Sequence, residues 1–138
     1  MDSGKLMAAT VVHADDGLEY VLVVDDEPVV RRFAARALVE SGFGVHEAGD
    51  GAMALELIRS GGIQASVVVC DIVMPRMNGV QLLESLAVLR PGLPIILMSG
   101  YGAAELAKRG IASPCAVLAK PFPAELLVAE VRRCIRVR

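Results

Sequence analysis

Charged and hydroxyl side chains follow apolar runs at several places in this 138-residue chain, namely at Asp25, Asp26, Asp71, Ser99 and Lys120. Three carboxylates in close quarters repel one another, and a hard divalent cation relieves that repulsion. Mg²⁺ suits such a site because it takes oxygen ligands and is often held by few carboxylates. A carboxylate beside Mg²⁺ and a lysine can attack a phosphoryl group, so these residue types predict phosphoryl-transfer chemistry.

The five residues differ in the role that each suits. Asp71 stands alone after the central run and is the best candidate nucleophile, whereas the pair Asp25 and Asp26 suits metal binding. Ser99 can donate a hydrogen bond to a phosphoryl oxygen, and Lys120 can form an ion pair with the same group. No Cys or His ligand set accompanies the acids, which disfavours zinc.

Short β-branched apolar runs alternate with segments of helical spacing from residue 20 onward, a pattern that predicts an α/β fold whose parallel sheet is covered on both faces. A doubly wound sheet of order 2-1-3-4-5 is one common solution, and its ligand crevice lies beyond the carboxyl ends of the strands. The predicted strands are 20–25, 44–47, 66–71, 94–98 and 116–119, and the predicted helices cover 29–40, 51–59, 80–89, 103–108 and 124–136.

Four motifs occur in the order typical of one family. They are Val-Val-Asp25-Asp26-Glu27-Pro28, Cys70-Asp71-Ile72-Val73-Met74-Pro75 with Met77-Asn78-Gly79, Met98-Ser99-Gly100-Tyr101, and Lys120-Pro121-Phe122. Over residues 20–136 the chain resembles the receiver domains of two-component response regulators, the CheY-like group with a flavodoxin-like fold. The resemblance implies a phosphoacceptor signalling module and not an enzyme that turns over an external substrate.

The resemblance also implies a role for each matching residue. Asp71 would be the phosphorylated aspartate, Asp25 and Asp26 would serve Mg²⁺ together with Asp71 and the Val73 carbonyl, Ser99 would be the switch hydroxyl, and Lys120 would contact the phosphoryl group. A cis peptide is implied between Lys120 and Pro121. The implied partners are a histidine kinase or phosphotransfer protein and a downstream protein that reads the surface around the fourth helix, fifth strand and fifth helix, with a homodimer left open.

Two positions qualify the family pattern. Val117 stands where the family commonly has an aromatic residue that moves with the switch hydroxyl, so we expect Tyr101 to take part of that coupling. Val73 and Tyr101 also flank the expected path of a hydrolytic water, and neither offers a base to orient it. Slow self-dephosphorylation is therefore expected.

Composition limits the partners and the compartment. A net charge of −2 and an aromatic content of 4% provide neither a basic field nor stacking surfaces for nucleic acid. No apolar run approaches the roughly 20 residues of a membrane helix, and the interrupted N-terminal segment does not suit a signal peptide. The three widely spaced cysteines predict a reduced, cytoplasmic chain. Residues 1–19 show no sustained periodicity and are predicted to be a tail or linker, with 20–138 as the domain.

The sequence is also compatible with other functions. A magnesium-dependent phosphatase with an aspartyl nucleophile is one, although Val73 supplies no second acid to protonate a leaving group. A phosphorylation-independent scaffold is another, and Asp25 and Asp26 could instead cap the first helix. The domain could act alone, serve as a phosphorelay intermediate, or be the receiver of a hybrid kinase.

Overall fold

Five parallel strands form one sheet with the order β2-β1-β3-β4-β5. The structure is a computed structural model that describes residues 17–100 and 113–137. The strands are β1 Tyr20–Val24, β2 Gly44–Ala48, β3 Val67–Asp71, β4 Ile95–Ser99 and β5 Ala116–Ala119. The expected fold class and strand order are confirmed, and the predicted strand ends differ by one residue at most.

Four helices lie in the described ranges, α1 Pro28–Glu40, α2 Gly51–Arg59, α3 Gly79–Leu89 and α4 Ala124–Val137. Local sequence explains where three of them begin. Pro28 occupies the first turn of α1, where a missing amide hydrogen costs nothing. Asp50 accepts a hydrogen bond from the Met53 amide at the start of α2, and Asn78 forms a capping box with Gln81 at the start of α3. The helix expected at 103–108 lies outside the described residues.

The alternation of side chains along the strands builds two hydrophobic cores, one on each face of the sheet. Val21 and Val23 belong to the cluster that packs against α1 and α4, whereas Leu22 and Val24 belong to the cluster that packs against α2 and α3. The inner strands β1 and β3 are almost entirely apolar because both of their faces are buried, whereas the edge strand β2 contains His46 and Glu47 and is only partly buried. Within the described ranges, the helices are too short or too polar to span a bilayer.

One sequence-based expectation about the cysteines is wrong. Cys115 and Cys134 form a disulfide, whereas Cys70 is free and buried. Their separation of 19 residues in sequence concealed a Cα–Cα distance of 6.1 Å, because α4 runs back beside the start of β5. That distance is within the range of roughly 4.4–6.8 Å that a disulfide spans.

Candidate functional site

The residue after β1, Asp25, is held by contacts on both its backbone and its side chain. Its amide donates to the carbonyl of Ala48, and its carbonyl accepts from Arg31 Nη1 at 2.8 Å. The carboxylate is fully buried, and its Oδ1 accepts from the Glu27 amide at 2.9 Å. The residue directly before α1 is Glu27. A role for Asp25 at the start of this helix would therefore explain why its Oδ1 accepts from the Glu27 amide, but it would not explain the position of its Oδ2.

Three carboxylates meet at the carboxyl edge of the sheet. One oxygen from each of Asp25, Asp26 and Asp71 lies within 4.8 Å of the others, and Asp26 is exposed while the other two are buried. The donor set consists of oxygen atoms only, which fits a hard divalent cation such as Mg²⁺. The exposed member leaves the cluster open to solvent on one side.

Lys120 joins two of these carboxylates. Its Nζ lies 3.1 Å from Asp71 Oδ1 and 3.2 Å from Asp25 Oδ2. Asp71 lies two residues after Val69, and Lys120 lies two residues after Leu118. Val69 and Leu118 both belong to the core that packs against α1 and α4. The alternation of the strands thus directs the lysine and the carboxylates toward the same side of the sheet edge.

Burial and charge act in opposite directions on these groups. Burial is the largest influence on Asp71 and raises its pKa, and the Asp25 charge adds to the rise, although the hydrogen bond from Lys120 opposes it. Burial of Lys120 opposes its charge, but the hydrogen bonds and charges of Asp71 and Asp25 outweigh burial and raise the pKa of the ammonium. The lysine therefore stays protonated between the two carboxylates at neutral pH.

The remaining predicted site residues occupy different positions around the cluster. Ser99 is buried at the end of β4, and its carbonyl accepts from the Lys120 amide at 2.7 Å. Val73 lies in the loop after β3 with 78% of its surface exposed, and Val117 is partly buried on β5 opposite Leu97. Tyr101 lies outside the described residues. The Lys120–Pro121 peptide is cis, as the resemblance implies.

The loop that follows Asp71 is anchored on α2 by a contact that sequence analysis missed. Arg76 adopts a positive φ of 66° and forms an ion pair with Asp50, the residue that caps α2. The same loop folds back on β3, because the Gly79 amide donates to the carbonyl of Ile72 at 2.8 Å. Positive φ is uncommon for a residue other than glycine, so the tertiary contacts must support this conformation.

Arg31 is a second residue that sequence analysis missed. Its guanidinium reaches the Asp25 carbonyl through Nη1 and Glu47 Oε1 through Nε at 2.9 Å. The sequence did contain an indication of this role. Arg31 lies three residues before Ala34 and seven before Leu38, so a charged residue stands on the buried stripe of α1. A polar residue in such a stripe usually has a specific partner.

Comparisons with known proteins agree with this arrangement. A family model described as the response regulator receiver domain matches residues 21–132. The chain is 38% identical over 120 residues to the sensor kinase CckA of Brucella abortus, covering 86% of this chain and 13% of that protein. It is 37% identical over 117 residues to the probable transcriptional regulatory protein TcrX of Mycobacterium tuberculosis, covering 84% of this chain and 49% of that protein.

Solved structures resemble the chain over most of its length. The CheY-like receiver domain protein from Methanospirillum hungatei superposes with a TM-score of 0.80 at 26% identity, covering 87% of this chain and 95% of that one. The receiver domain of the putative response regulator NarL from Mycobacterium tuberculosis superposes with a TM-score of 0.77 at 30% identity, covering 88% and 98%. The chain spans about half or less of the two curated relatives but nearly all of these isolated receiver domains. The chain belongs to the response regulator receiver domain family of two-component systems.

Proposed function

We propose that this receiver domain accepts a phosphoryl group on Asp71 from the phosphohistidine of a kinase or phosphotransfer protein. The observation that carries the proposal is the Lys120 ammonium, which lies within 3.2 Å of both Asp71 and Asp25 beside the exposed Asp26. Receiver domains bind Mg²⁺ at an acidic cluster of this kind. The proposed role is that of a signalling module that is modified, not of an enzyme that releases a product.

The proposed step is an in-line substitution at phosphorus. A carboxylate oxygen of Asp71 forms the new O–P bond, the P–N bond to the histidine breaks, and its electron pair leaves with the imidazole nitrogen. Mg²⁺ held by Asp25, Asp26, Asp71 and the Val73 carbonyl would supply neutralising charge for the phosphoryl oxygens.

Lys120 and Ser99 stabilise the product in this proposal. The ammonium moves from a carboxylate oxygen of Asp71 to a phosphoryl oxygen, a change that needs little displacement because Nζ already lies 3.1 Å from Asp71 Oδ1. Ser99 ends the strand next to β3, so its hydroxyl can donate to a second phosphoryl oxygen. These contacts favour one conformer and shift the population toward it.

The signal would reach a downstream protein through the surface formed by the helix predicted at 103–108, β5 and α4. In the expected coupling, Tyr101 moves with Ser99, and Val117 leaves the space that an aromatic residue commonly occupies. Slow self-dephosphorylation is part of the same proposal, since neither Val73 nor Tyr101 can act as a base. The proposed location is cytoplasmic, and the proposed receiver domain covers residues 20–138, with 1–19 as a tail.

Intact-mass analysis after incubation with acetyl phosphate tests the proposal. We expect the parent to gain the mass of one phosphoryl group in the presence of Mg²⁺ and to gain none in excess EDTA. Asp71→Asn removes the nucleophile and should abolish labelling, whereas Glu27→Gln changes a neighbouring exposed acid outside the cluster and should leave it intact.

Two other results would favour the rival functions. Continued release of phosphate from small phosphomonoesters, at many turnovers per protein, would indicate a phosphatase. Absence of both labelling and beryllium fluoride binding in a folded parent would indicate a scaffold that does not depend on phosphorylation. Either result would overturn the phosphoacceptor assignment.

A further inference from the structure

The disulfide joins two elements on the side of the sheet opposite β2. Cys115 directly precedes β5, and its amide donates to the Ile95 carbonyl at 2.7 Å. Cys134 lies in α4 and is fully buried. With Cα atoms 6.1 Å apart on two ordered elements, the sulfurs can bond or separate without rearrangement of the backbone.

One arginine contacts both cysteines. Arg133 Nη2 donates to the Cys115 carbonyl at 2.8 Å and lies 3.8 Å from Cys134 Sγ. Glu130 Oε1 accepts from the same guanidinium at 2.7 Å and 2.9 Å, which fixes its position. A guanidinium beside a sulfur stabilises the thiolate over the thiol, and the thiolate is the reactive species in disulfide exchange.

The two cysteine residues differ in how deeply they are buried. Cys115 is only partly buried, whereas Cys134 is fully buried on the inner side of α4. A small thiol from solution would therefore attack Cys115 Sγ, and Cys134 Sγ would leave as a thiolate beside Arg133. The less buried cysteine is thus the one to be attacked, and the sulfur of the fully buried cysteine is the one that has the Arg133 guanidinium beside it.

Cys70, the free cysteine, has neither the partial exposure of Cys115 nor the arginine contact of Cys134. Cys70 is fully buried on β3, and within the described part of the chain its thiol contacts the Asp71 carbonyl and no arginine. Because no small thiol can reach it in the folded protein, Cys70 serves as an internal reference that stays reduced and unreactive.

We propose that Cys115 and Cys134 form a reversible thiol–disulfide site whose co-reactants are low-molecular-weight thiols and their disulfides, such as glutathione. A first small thiolate bonds to Cys115 Sγ as the Cys115–Cys134 bond breaks and its electron pair passes to Cys134. A second small thiolate attacks the mixed disulfide at the small-thiol sulfur and releases Cys115. Two small thiols thus lose two electrons and two protons to the protein pair and leave as one disulfide.

The proposed cytoplasmic location favours reversibility over a permanent bond. In reducing compartments, protein disulfides are usually transient and serve catalysis or redox sensing. The bond closes a loop that contains β5, Lys120 and the start of α4, so its redox state would set how firmly the proposed output surface is held. The exchange chemistry itself does not rest on phosphorylation of Asp71.

Thiol counting on the native parent protein tests the proposal without any variant. After incubation with excess oxidised glutathione, removal of the reagent, denaturation and alkylation, we expect one alkylated cysteine, and after excess reduced glutathione we expect all three. The reduced form should melt roughly 5–15 °C lower. Three free thiols after both treatments, or only one free thiol after both, would overturn the proposal.

Single cysteine variants test the order of events. In Cys134→Ser, the remaining Cys115 should form a mixed disulfide with oxidised glutathione under native conditions, whereas in Cys115→Ser the buried Cys134 should stay unmodified. Modification of Cys134 but not of Cys115 would contradict the proposed attack at Cys115.

The role of Arg133 is tested by the rate of reduction of the native disulfide. Arg133→Gln should slow reduction roughly threefold or more, because a leaving thiol of higher pKa leaves more slowly, and Arg133→Lys should restore most of the rate. Arg132→Gln is the matched control, since that guanidinium faces the Ser41 carbonyl and the Phe43 ring instead. Equal slowing in both glutamine variants would refute the role of Arg133.

The same thiol count separates this inference from the proposed function. Asp71→Asn should abolish phosphoryl labelling yet leave the exchange of Cys115 and Cys134 unchanged. Loss of exchange in folded Asp71→Asn would contradict the independence of the two sites.

Discussion

The Lys120 ammonium nitrogen lies 3.1 Å from Asp71 Oδ1, although β4 separates the strand before Lys120 from the strand of Asp71. The same nitrogen lies 3.2 Å from Asp25 Oδ2. One cation therefore reaches across a strand to hold two carboxylates that would otherwise repel each other. Folding stability and the proposed chemistry depend on the same side chain.

Replacement of Lys120 should expose this dependence. Lys120→Met keeps most of the aliphatic stem but leaves two buried carboxylates without their cation, so we expect a loss of roughly 1–3 kcal/mol in the free energy of unfolding. The measurement is urea unfolding at pH 7 in EDTA. Added Mg²⁺ should raise the melting temperature of the variant more than that of the parent, since no ammonium then shares the cluster.

Arg36→Met is the matched control for the loss of one cation. Arg36 pairs with Glu40 on the exposed side of α1, and such surface pairs contribute roughly 0.3–0.5 kcal/mol. If Lys120→Met cost no more than Arg36→Met, the ion pairs of Lys120 would not hold the cluster together.

Asp71 should make the protein less stable as it ionises. Its pKa lies above the usual 3.8 in the folded state, mainly because of burial, so the folded state binds its proton more tightly than the unfolded state does. The stability that this group contributes is complete below about pH 3.8 and is lost as the pH rises through the raised pKa. Asp71→Asn, which resembles the protonated acid, should therefore melt higher than the parent at pH 7 in EDTA.

The advantage of Asp71→Asn should shrink as the pH falls toward 4, where the parent carboxyl binds its proton. Melting curves of both proteins between pH 4 and 8 provide the comparison. A variant that is less stable than the parent at pH 7 would show that the ion pair with Lys120 outweighs burial of the carboxylate.

The strands and the site edge were predictable from the sequence for a simple physical reason. Strands covered on both faces must be apolar at every position, so β1 and β3 appear as uninterrupted runs that end in Asp25 and Asp71. The carboxyl ends of parallel strands lie at the same edge of the sheet, so the parallel topology by itself brings Asp25 and Asp71 close together.

The contacts that sequence analysis missed join residues that are distant in sequence, and local sequence patterns do not show which distant segments pack together. The Cys115–Cys134 bond requires α4 to return beside the start of β5, and the Arg76–Asp50 pair requires the loop after β3 to lie on α2. The two functions of Asp25, one oxygen on the Glu27 amide and the other on Lys120, follow from the same long-range packing.

The Asp50 carboxylate should stabilise the protein in a pH-dependent way. The hydrogen bond from the Met53 amide is the largest influence, and with Arg76 it outweighs burial and lowers the pKa below 3.8. Because the folded pKa is lowered, the stabilisation is present above about pH 4 and is lost as the pH falls through the folded pKa. Asp50→Ala removes both the cap and the ion pair, so we expect a loss of about 1–2 kcal/mol at pH 7.

Asp50→Asn separates the two contributions. Asparagine can still cap α2, so the variant should lose only the charge-dependent part, and its difference from the parent should vanish in strong acid. Unfolding free energies measured from pH 7 down to pH 3 check this. A difference that persists at the lowest pH would mean that the cap geometry, not the charge, is lost in the asparagine variant.

Gly79 should be intolerant of any side chain because it packs directly on the backbone of Asp71, the proposed phosphoacceptor. A Cβ at this position would lie 2.4 Å from the Asp71 carbonyl oxygen and 2.8 Å from Ile72 Cα. Both neighbours are backbone atoms that cannot rotate away, so Gly79→Ala must move either the start of α3 or the end of β3. We expect a loss of roughly 1–3 kcal/mol despite the better helix propensity of alanine.

A shift of the Asp71 backbone should also weaken the proposed metal site. In Gly79→Ala we expect a smaller rise of the melting temperature with Mg²⁺ and slower labelling by acetyl phosphate at a temperature where the variant is folded. Gly92→Ala is the matched control, because a Cβ added to Gly92 would meet no described atom within 4 Å and the φ of Gly92 is not positive. If both alanine variants kept the parent's stability and labelling rate, the close approach of α3 to Asp71 would not constrain the site.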